Sequence, residues 1–376
     1  MKINKKFILL TFYKFVDIDD PKSEVEKHKQ FCEDIGIRSR IYIGEEGINA
    51  QLSCNEGQMI AYKLYLDNSQ YFKDIPDIDT KATPVIGHQF PKCIVRYRKE
   101  IVALGALYKA ADVEKYKNKI PIDEFKTLMD KGADDYVVLD MRNNYEFQLG
   151  HFKNAIPAGT VNFRDVKEYV DDWKEKFKDK QIIMYCTGGI RCEKLAVMFE
   201  NEGLSGVKQL DGGVIKYVNT FNDGHWLGNL YTFDGRVSTK VGDENTHTII
   251  SKCHYTDEPS EDYHNCRYGP CNLQFIAKPK EYRKHLGFCC EECFKKAYND
   301  LLIRDDKFDP MNYKELRIEL KLHPEKKEEF EEQIRCHLRK WIKGVEFKHK
   351  TPIDYSKMLE YFNYTKENNF TKKEAI

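Results

Sequence analysis

The stretch that most restricts how this chain can fold is QIIMYCTGGIRCEK, residues 181–194. A β-branched and aromatic run ends in Cys186, two glycines follow, and the pattern from Ile190 onward is helical. A strand that turns so abruptly into a helix belongs to a parallel sheet, and ligands bind at the carboxyl ends of such strands. The helix start aims its unpaired N–H groups and positive dipole end back at the turn. Gly188 and Gly189 let the backbone curl so that its amides converge as an anion nest, and Arg191 adds a fixed charge. Such surroundings lower a thiol pKa and favour the nucleophilic thiolate. Cys186 and Arg191 are therefore the candidate catalytic residues, with Thr187, Gly188, Gly189 and Ile190 as the loop between them. The plainer alternative is a buried strand-end cysteine followed by a simple turn. Cys192, one turn into the helix, reads better as a packed residue than as a resolving thiol.

The surrounding elements alternate in the same way. IPIDEFKTLMDKG reads as helix, DYVVLDMR as a buried strand, VKEYVDDWKEKFK as helix, and GVKQLDGGVIKYV as strand then helix. They predict a parallel α/β domain over 118–224. Ahead of it, KFILLTFYKFV reads as strand and SEVEKHKQFCEDIG as a helix capped by Ser23. Two strands in RSRIYIGEEGINAQLSC, a helix in EGQMIAYKLYLDNS and a last strand in KCIVRYRKEIVALG follow. The order βαββαβ predicts a ferredoxin-like (acylphosphatase-like) α+β sandwich over 1–108. Residues 225–295 form a Cys-rich lobe, and 296–376 a charged helical tail in which Phe330, Ile334, Leu338 and Trp341 recur at helical spacing. At 376 residues the chain is too long for one core, so an α/β multidomain architecture is expected.

Lys plus Arg equals Asp plus Glu, 61 each, which excludes a surface coated in positive charge but not a local basic patch. Candidate RNA-binding residues are Arg96, Arg98 and Lys99. In the tail, Arg335, Arg339, Lys340, Lys343, Lys348 and Lys350 read more simply as a solvated charged face. No apolar run is long enough to span a bilayer, and the basic, apolar N-terminus lacks a cleavage site. No membrane contact and a cytoplasmic location are expected. Oligomeric state is not readable from the sequence.

Of twelve cysteines, Cys253, Cys266, Cys271, Cys289, Cys290 and Cys293 fall in one late stretch. In a reducing compartment this points to metal or redox chemistry rather than disulfides. The candidate ligands are Cys253, Cys266, Cys271, Cys290 and Cys293, enough for one tetrahedral zinc, with His254 or His264 as an alternative ligand. Free thiols in a loop-rich lobe are an equal reading. No flavin, haem or iron motif is evident.

Cysteine and arginine with four residues between them resemble the rhodanese active-site loop, where related phosphatases carry five. Asp140 and Arg142, with Glu146 and His151, match a second rhodanese signature whose residues support the loop. CTGGIRCEK, EEGINAQLS near the N-terminus, VRYRKEIVALG before the linker and CNLQFI in the Cys-rich stretch together resemble the oxygen-dependent tRNA uridine(34) hydroxylases. The resemblance covers roughly residues 5–295 and implies 5-hydroxylation of the wobble uridine of tRNA. It further implies molecular oxygen as co-substrate, the tRNA anticodon region as partner and Cys186 as the essential residue. Two departures stand out: Thr256, Lys278 and Glu281 occupy positions where that family commonly has cysteines, and the tail after 296 has no counterpart in its pattern. A persulfide-forming sulfurtransferase and a non-catalytic rhodanese-fold RNA- or protein-binding scaffold are the alternatives.

Overall fold

The computed structural model describes residues 7–75, 78, 82–132, 134–160 and 163–349, with 341–349 as backbone only. Its compact units are residues 1–250 and 251–376.

The first unit begins with β1 (Phe7–Phe15), α1 (Pro21–Asp34), β2 (Arg38–Gly44), β3 (Gly47–Cys54), α2 (Glu56–Asp67), β4 (Ala82–Val85) and β5 (Val95–Tyr97). The sheet order is β4-β1-β3-β2-β5, antiparallel through the first four and parallel between β2 and β5. The first four strands give the 4-1-3-2 order of the expected ferredoxin-like sandwich. Its closing strand, however, is ATPV beside β1, and VRY within KCIVRYRKEIVALG is an added edge strand on the opposite side. Four residues that include Pro84 carry a weak strand signal, whereas CIVRY is rich in β-formers. The cap of α1 is Asp20, which accepts from the Ser23 N–H, and Pro21 sits in the first turn. Strand alternation sorts the sheet into two faces. Leu10, Phe12, Ile41, Ile43, Ile48, Ala50 and Leu52 are buried in the core of this half. Thr11, Tyr13, Arg40, Tyr42, Asn49 and Gln51 look the other way.

Next come α3 (Ala110–Lys115), β6 (Lys119–Ile120), α4 (Ile122–Lys131), β7 (Tyr136–Asp140), α5 (Asn144–Leu149), β8 (Gly150–Phe152) and β9 (Ile156–Pro157). A 3-10 turn (Phe163–Tyr169) leads into α6 (Val170–Lys176), β10 (Gln181–Tyr185), α7 (Ile190–Asn201), β11 (Lys208–Leu210), α8 (Gly213–Phe221), β12 (Trp226–Tyr231) and β13 (Ser238–Lys240). Strands β6-β11-β10-β7-β9 form the expected parallel sheet. Val137, Leu139, Ile182 and Met184 pack on Leu195 and Phe199 of α7 in one layer. Val138, Ile183 and Tyr185 join Phe125, Phe152, Tyr217 and Trp226 in the other. β12 pairs with β8, so residues 226–250 pack with this unit, and the compact units part at 250. The buried side chains of Trp226 and Leu230 account for that attachment.

The second unit contains the hairpin β14 (Tyr263–Asn265) and β15 (Gln274–Ile276), then α9 (Pro279–Lys284), α10 (Glu291–Asp300), α11 (Tyr313–Leu322) and α12 (Lys327–His349). One core holds Phe275, Tyr282, Phe288 and Phe294 together with Tyr313, Ile334 and Leu338. The tail expected to start at 296 is thus built into the Cys-rich lobe as far as it is described. Asp309 ties it down, accepting from Arg267 at 2.7 Å and from the Tyr313 hydroxyl at 2.9 Å, with the His337 ring at 2.7 Å. Lys350 and the side chains of Trp341, Lys343 and Lys348 lie outside the described residues. Among the described residues no helix is long and apolar enough to cross a membrane.

Candidate active site

Cys186 follows the last residue of β10 and is fully buried, four residues before α7 begins. The Gly189 N–H donates to its Sγ at 3.1 Å, and the Arg191 and Cys192 N–H groups and the Cys192 thiol also donate to it. Burial alone would push this thiol up. The Cys192 hydrogen bond, the Arg191 charge and the two backbone N–H groups outweigh it and bring the pKa to about 6. Cys192 is pushed well above the ordinary thiol range by burial and by its bond to Cys186, so the pair keeps its proton on Cys192. Two glycines are obligatory here. Gly189 has φ +99°, and a Cβ on it would stand 2.7 Å from the Tyr13 hydroxyl. Gly213 has φ +65° and a Cβ there would meet the Cys186 carbonyl oxygen at 2.6 Å, closing off the approach of α8 to the loop.

Arg191 is not an open anion receptor. Its terminal nitrogens hold the Glu146 carboxylate at 2.8 and 2.9 Å. Glu146 also accepts from the Asn143 N–H at 3.1 Å and the Thr187 hydroxyl at 3.2 Å. Burial would raise the Glu146 carboxyl, but the guanidinium of Arg191 overrides it and holds the group below the usual carboxylate range. Arg191 therefore fixes the loop and supplies field to the thiolate. Asp140 and Arg142 form a second buried pair, 2.5 Å between Nη2 and Oδ2, joined by the Tyr185 hydroxyl at 2.6 Å and the Gly150 carbonyl at 2.5 Å. They brace the ends of β7 and β10 rather than touching Cys186. His151 stacks on Phe147 at 3.9 Å.

The uncovered face of the first sheet closes over this loop. Thr11, Tyr13, Arg40, Tyr42, Asn49 and Gln51 share with Cys186, Thr187, Gly188, Ile190, Arg191 and Phe233 the walls of a 260 Å³ cavity. A neighbouring cavity of 190 Å³ shares Thr11, Gln51, Thr187, Ile215 and Phe233 and extends to Arg236 and Lys240. The residues after the loop, Cys192-Glu193-Lys194, bind the two halves together. Buried Lys194 donates to Glu46 at 2.9 Å, Glu100 at 2.8 Å and the Val102 carbonyl at 3.0 Å. The Tyr13 hydroxyl donates to Glu193 at 2.9 Å. These sheet residues and the Lys194 clasp were not anticipated. Their signal was period-two alternation that left a polar face with no helix to cover it.

Of the RNA-contact candidates, Arg96, Arg98 and Lys99 are all exposed. The Arg98 guanidinium lies 5.4 Å from the centre of the Tyr42 ring, on the cavity wall. In the tail, Arg335 and Arg339 are paired with Glu331 and Glu332 of their own helix. Among the metal candidates, Cys266, Cys271 and Cys293 converge with Cys289, all four Sγ atoms within 4.8 Å of one another. Cys253 and Cys290 drop out of the expected set. The Cys253 thiol accepts the Lys278 N–H at 3.4 Å, and Cys290 is exposed at the cap of α10. His254 and His264 face the carbonyls of Cys289 and Ala277.

Sequence profiles of three families match in order: the UPF0176 acylphosphatase-like domain at residues 7–101, the rhodanese-like domain at 121–220 and the rhodanase C-terminal domain at 227–294. A tRNA uridine(34) hydroxylase of Oceanobacillus iheyensis is 37% identical over 78% of this chain and 90% of its own length. Those of Staphylococcus carnosus and Protochlamydia amoebophila are each 37% identical, over 77% and 76% of this chain and 90% and 88% of theirs. A solved rhodanese-like domain from Anabaena is 19% identical over 30% of this chain and 80% of its own, with a TM-score of 0.26, too slight to carry an argument. With the identity running through both domains that build the Cys186 cavity, the chain belongs to the tRNA uridine(34) hydroxylase family.

Proposed function

We propose that this protein hydroxylates C5 of the wobble uridine of tRNA, with Cys186 as nucleophile and molecular oxygen as the oxygen source. The observation that carries the reading is the closure of a polar sheet face over the Cys186 loop. A sulfur carrier needs only the loop, whereas a 260 Å³ cavity with a largely apolar wall from Val102, Ile190, Ile215 and Phe233, two tyrosines, and the amides and hydroxyl of Asn49, Gln51 and Thr11 suits one flat nucleobase. It is somewhat smaller than the roughly 300–1,000 Å³ of sites for drug-sized ligands. Anticodon bases are single-stranded and can be splayed out, stacked on an aromatic ring and read along their edges. Tyr42 offers the ring, and Asn49, Gln51 and Thr11 offer donors and acceptors for the uracil carbonyls and N3–H. Arg96, Arg98 and Lys99 are exposed for phosphate contacts. A tRNA substrate puts the work in the cytoplasm.

In the reaction the Cys186 thiolate adds to C6, which makes C5 nucleophilic. One atom of oxygen bonds to C5, the C5 proton leaves, and expulsion of the thiolate restores the ring. The second oxygen atom leaves as water, taking two electrons and two protons from an external reductant. The test is mass spectrometry of tRNA nucleosides from cells lacking the endogenous hydroxylase, complemented with wild type or Cys186→Ser. Only wild type is expected to restore 5-hydroxyuridine, and restoration by Cys186→Ser overturns the proposal. Persulfide transfer is the second reading, favoured by the N–H groups gathered around Sγ. Rapid thiosulfate-to-cyanide turnover without hydroxylated tRNA supports it.

A further inference from the structure

We propose that Cys266, Cys271, Cys289 and Cys293 bind one zinc ion as a structural four-thiolate centre of the second unit. Four ligands at about 2.3 Å around one tetrahedral ion stand about 3.8 Å from each other. The Cys271 and Cys289 Sγ atoms are 3.8 Å apart, Cys289 and Cys293 are 3.5 Å apart, and all four lie within 4.8 Å of one another. That spacing fits a single ion. An iron–sulfur cluster interposes irons and sulfides between its cysteines and spreads them further.

The ligands come from two rigid pieces. Cys266 directly follows β14 and Cys271 lies in the turn before β15, while Cys289 precedes α10 and Cys293 sits in its first turn. Backbone N–H groups of Tyr268 and Cys289 donate to Cys266, and that of Leu273 donates to Cys271. These bonds, with the start of the ten-residue α10, offset the charge of four thiolates on one dication. Binding replaces four S–H protons by one Zn²⁺ and releases them to solvent. The ion would join hairpin to helix in a unit whose described sheet is only two strands. Exposed Cys290 is left outside the centre.

The full chain, purified in reductant without chelator, is expected to carry about one zinc per chain by elemental mass spectrometry. Cys266→Ser and Cys293→Ser are expected to lose it, while Cys253→Ser and Cys290→Ser keep it. Should the first two fail to fold, cobalt(II) exchanged into the wild type gives the reading. Strong sulfur-to-cobalt charge transfer with intense visible bands supports the centre, and a weak six-coordinate spectrum overturns it. Iron in place of zinc, or a metal-free wild type whose four thiols are all alkylated in the native state, also overturns it.

Discussion

The Cys186 loop and the four-cysteine group of the second unit are assembled from the same parts in opposite proportions. At Cys186 a single sulfur receives N–H groups, a neighbouring S–H and the field of Arg191, and a cavity opens above it. At Cys266, Cys271, Cys289 and Cys293 each sulfur has sulfur for neighbours, and backbone N–H groups are the donors around them. When the protein supplies the positive charge, the sulfur keeps a free lone pair and can attack. Where four thiols face one another, a bound cation would take up the lone pairs, and none would be left to attack.

The largest effect expected from breaking this contrast is Cys186→Ser. It should lower tRNA hydroxylation by at least on the order of 10³-fold, with zinc content unchanged. A fall in zinc content would show that the two thiol sites are not independent. The next is Glu146→Met, which strands the Arg191 charge in the interior and should cost about 3–5 kcal/mol in urea unfolding. The double variant Glu146→Met/Arg191→Met is expected to recover most of that stability, since removing a whole buried pair is often neutral. It should not recover activity, because the field on Cys186 is gone. Recovery of both would reduce Arg191 to a packing residue. A third is Lys194→Met, which leaves Glu46 and Glu100 facing each other without their shared cation. Faster proteolysis between residues 98 and 118 measures the loosened clasp, and an unchanged rate would mean that Tyr13 and Glu193 hold the halves by themselves.

The turn was legible because one short segment contains all its determinants: the apolar run, the glycines and the Cys186–Arg191 spacing. The four-strand sandwich was legible from its element order, but β4 was hidden because ATPV has little propensity of its own and pairs by tertiary context. That residues 226–250 pack on the preceding sheet was hidden because Gly and His dilute their strand pattern, and Trp226 reaches Phe152 only in the folded chain. Which of the vicinal pair Cys289 and Cys290 turns inward depends on where α10 starts, which spacing does not specify. The polar side of the cavity was present as alternation in β1, β2 and β3, yet only the packed structure shows that, among the described residues, the Cys186 loop takes that face.

The smallest and most diagnostic change concerns the proton shared near Cys186. Its pKa of about 6 lies below that of an ordinary thiol, so hydroxylation in wild type should rise with pH through about 6 and then level off. Cys192→Ala removes the S–H donor to the thiolate, which favours the neutral thiol and moves the limb to higher pH. On the acid limb a thiol that is tenfold less acidic holds about tenfold less thiolate, so the loss shrinks as pH rises and nearly vanishes in alkaline buffer. Alkylation rates of Cys186, followed by peptide mass spectrometry against pH, should move with the activity limb. The same sign governs stability. A thiol depressed in the folded state adds stability that is fully present above its unfolded pKa of about 8.5 and disappears as pH falls through about 6. The rise of melting temperature across that window should therefore be shallower in Cys192→Ala. If limb and melting slope both stay where they are in wild type, Cys192 is merely packed, and Arg191 with the loop amides alone sets the thiolate.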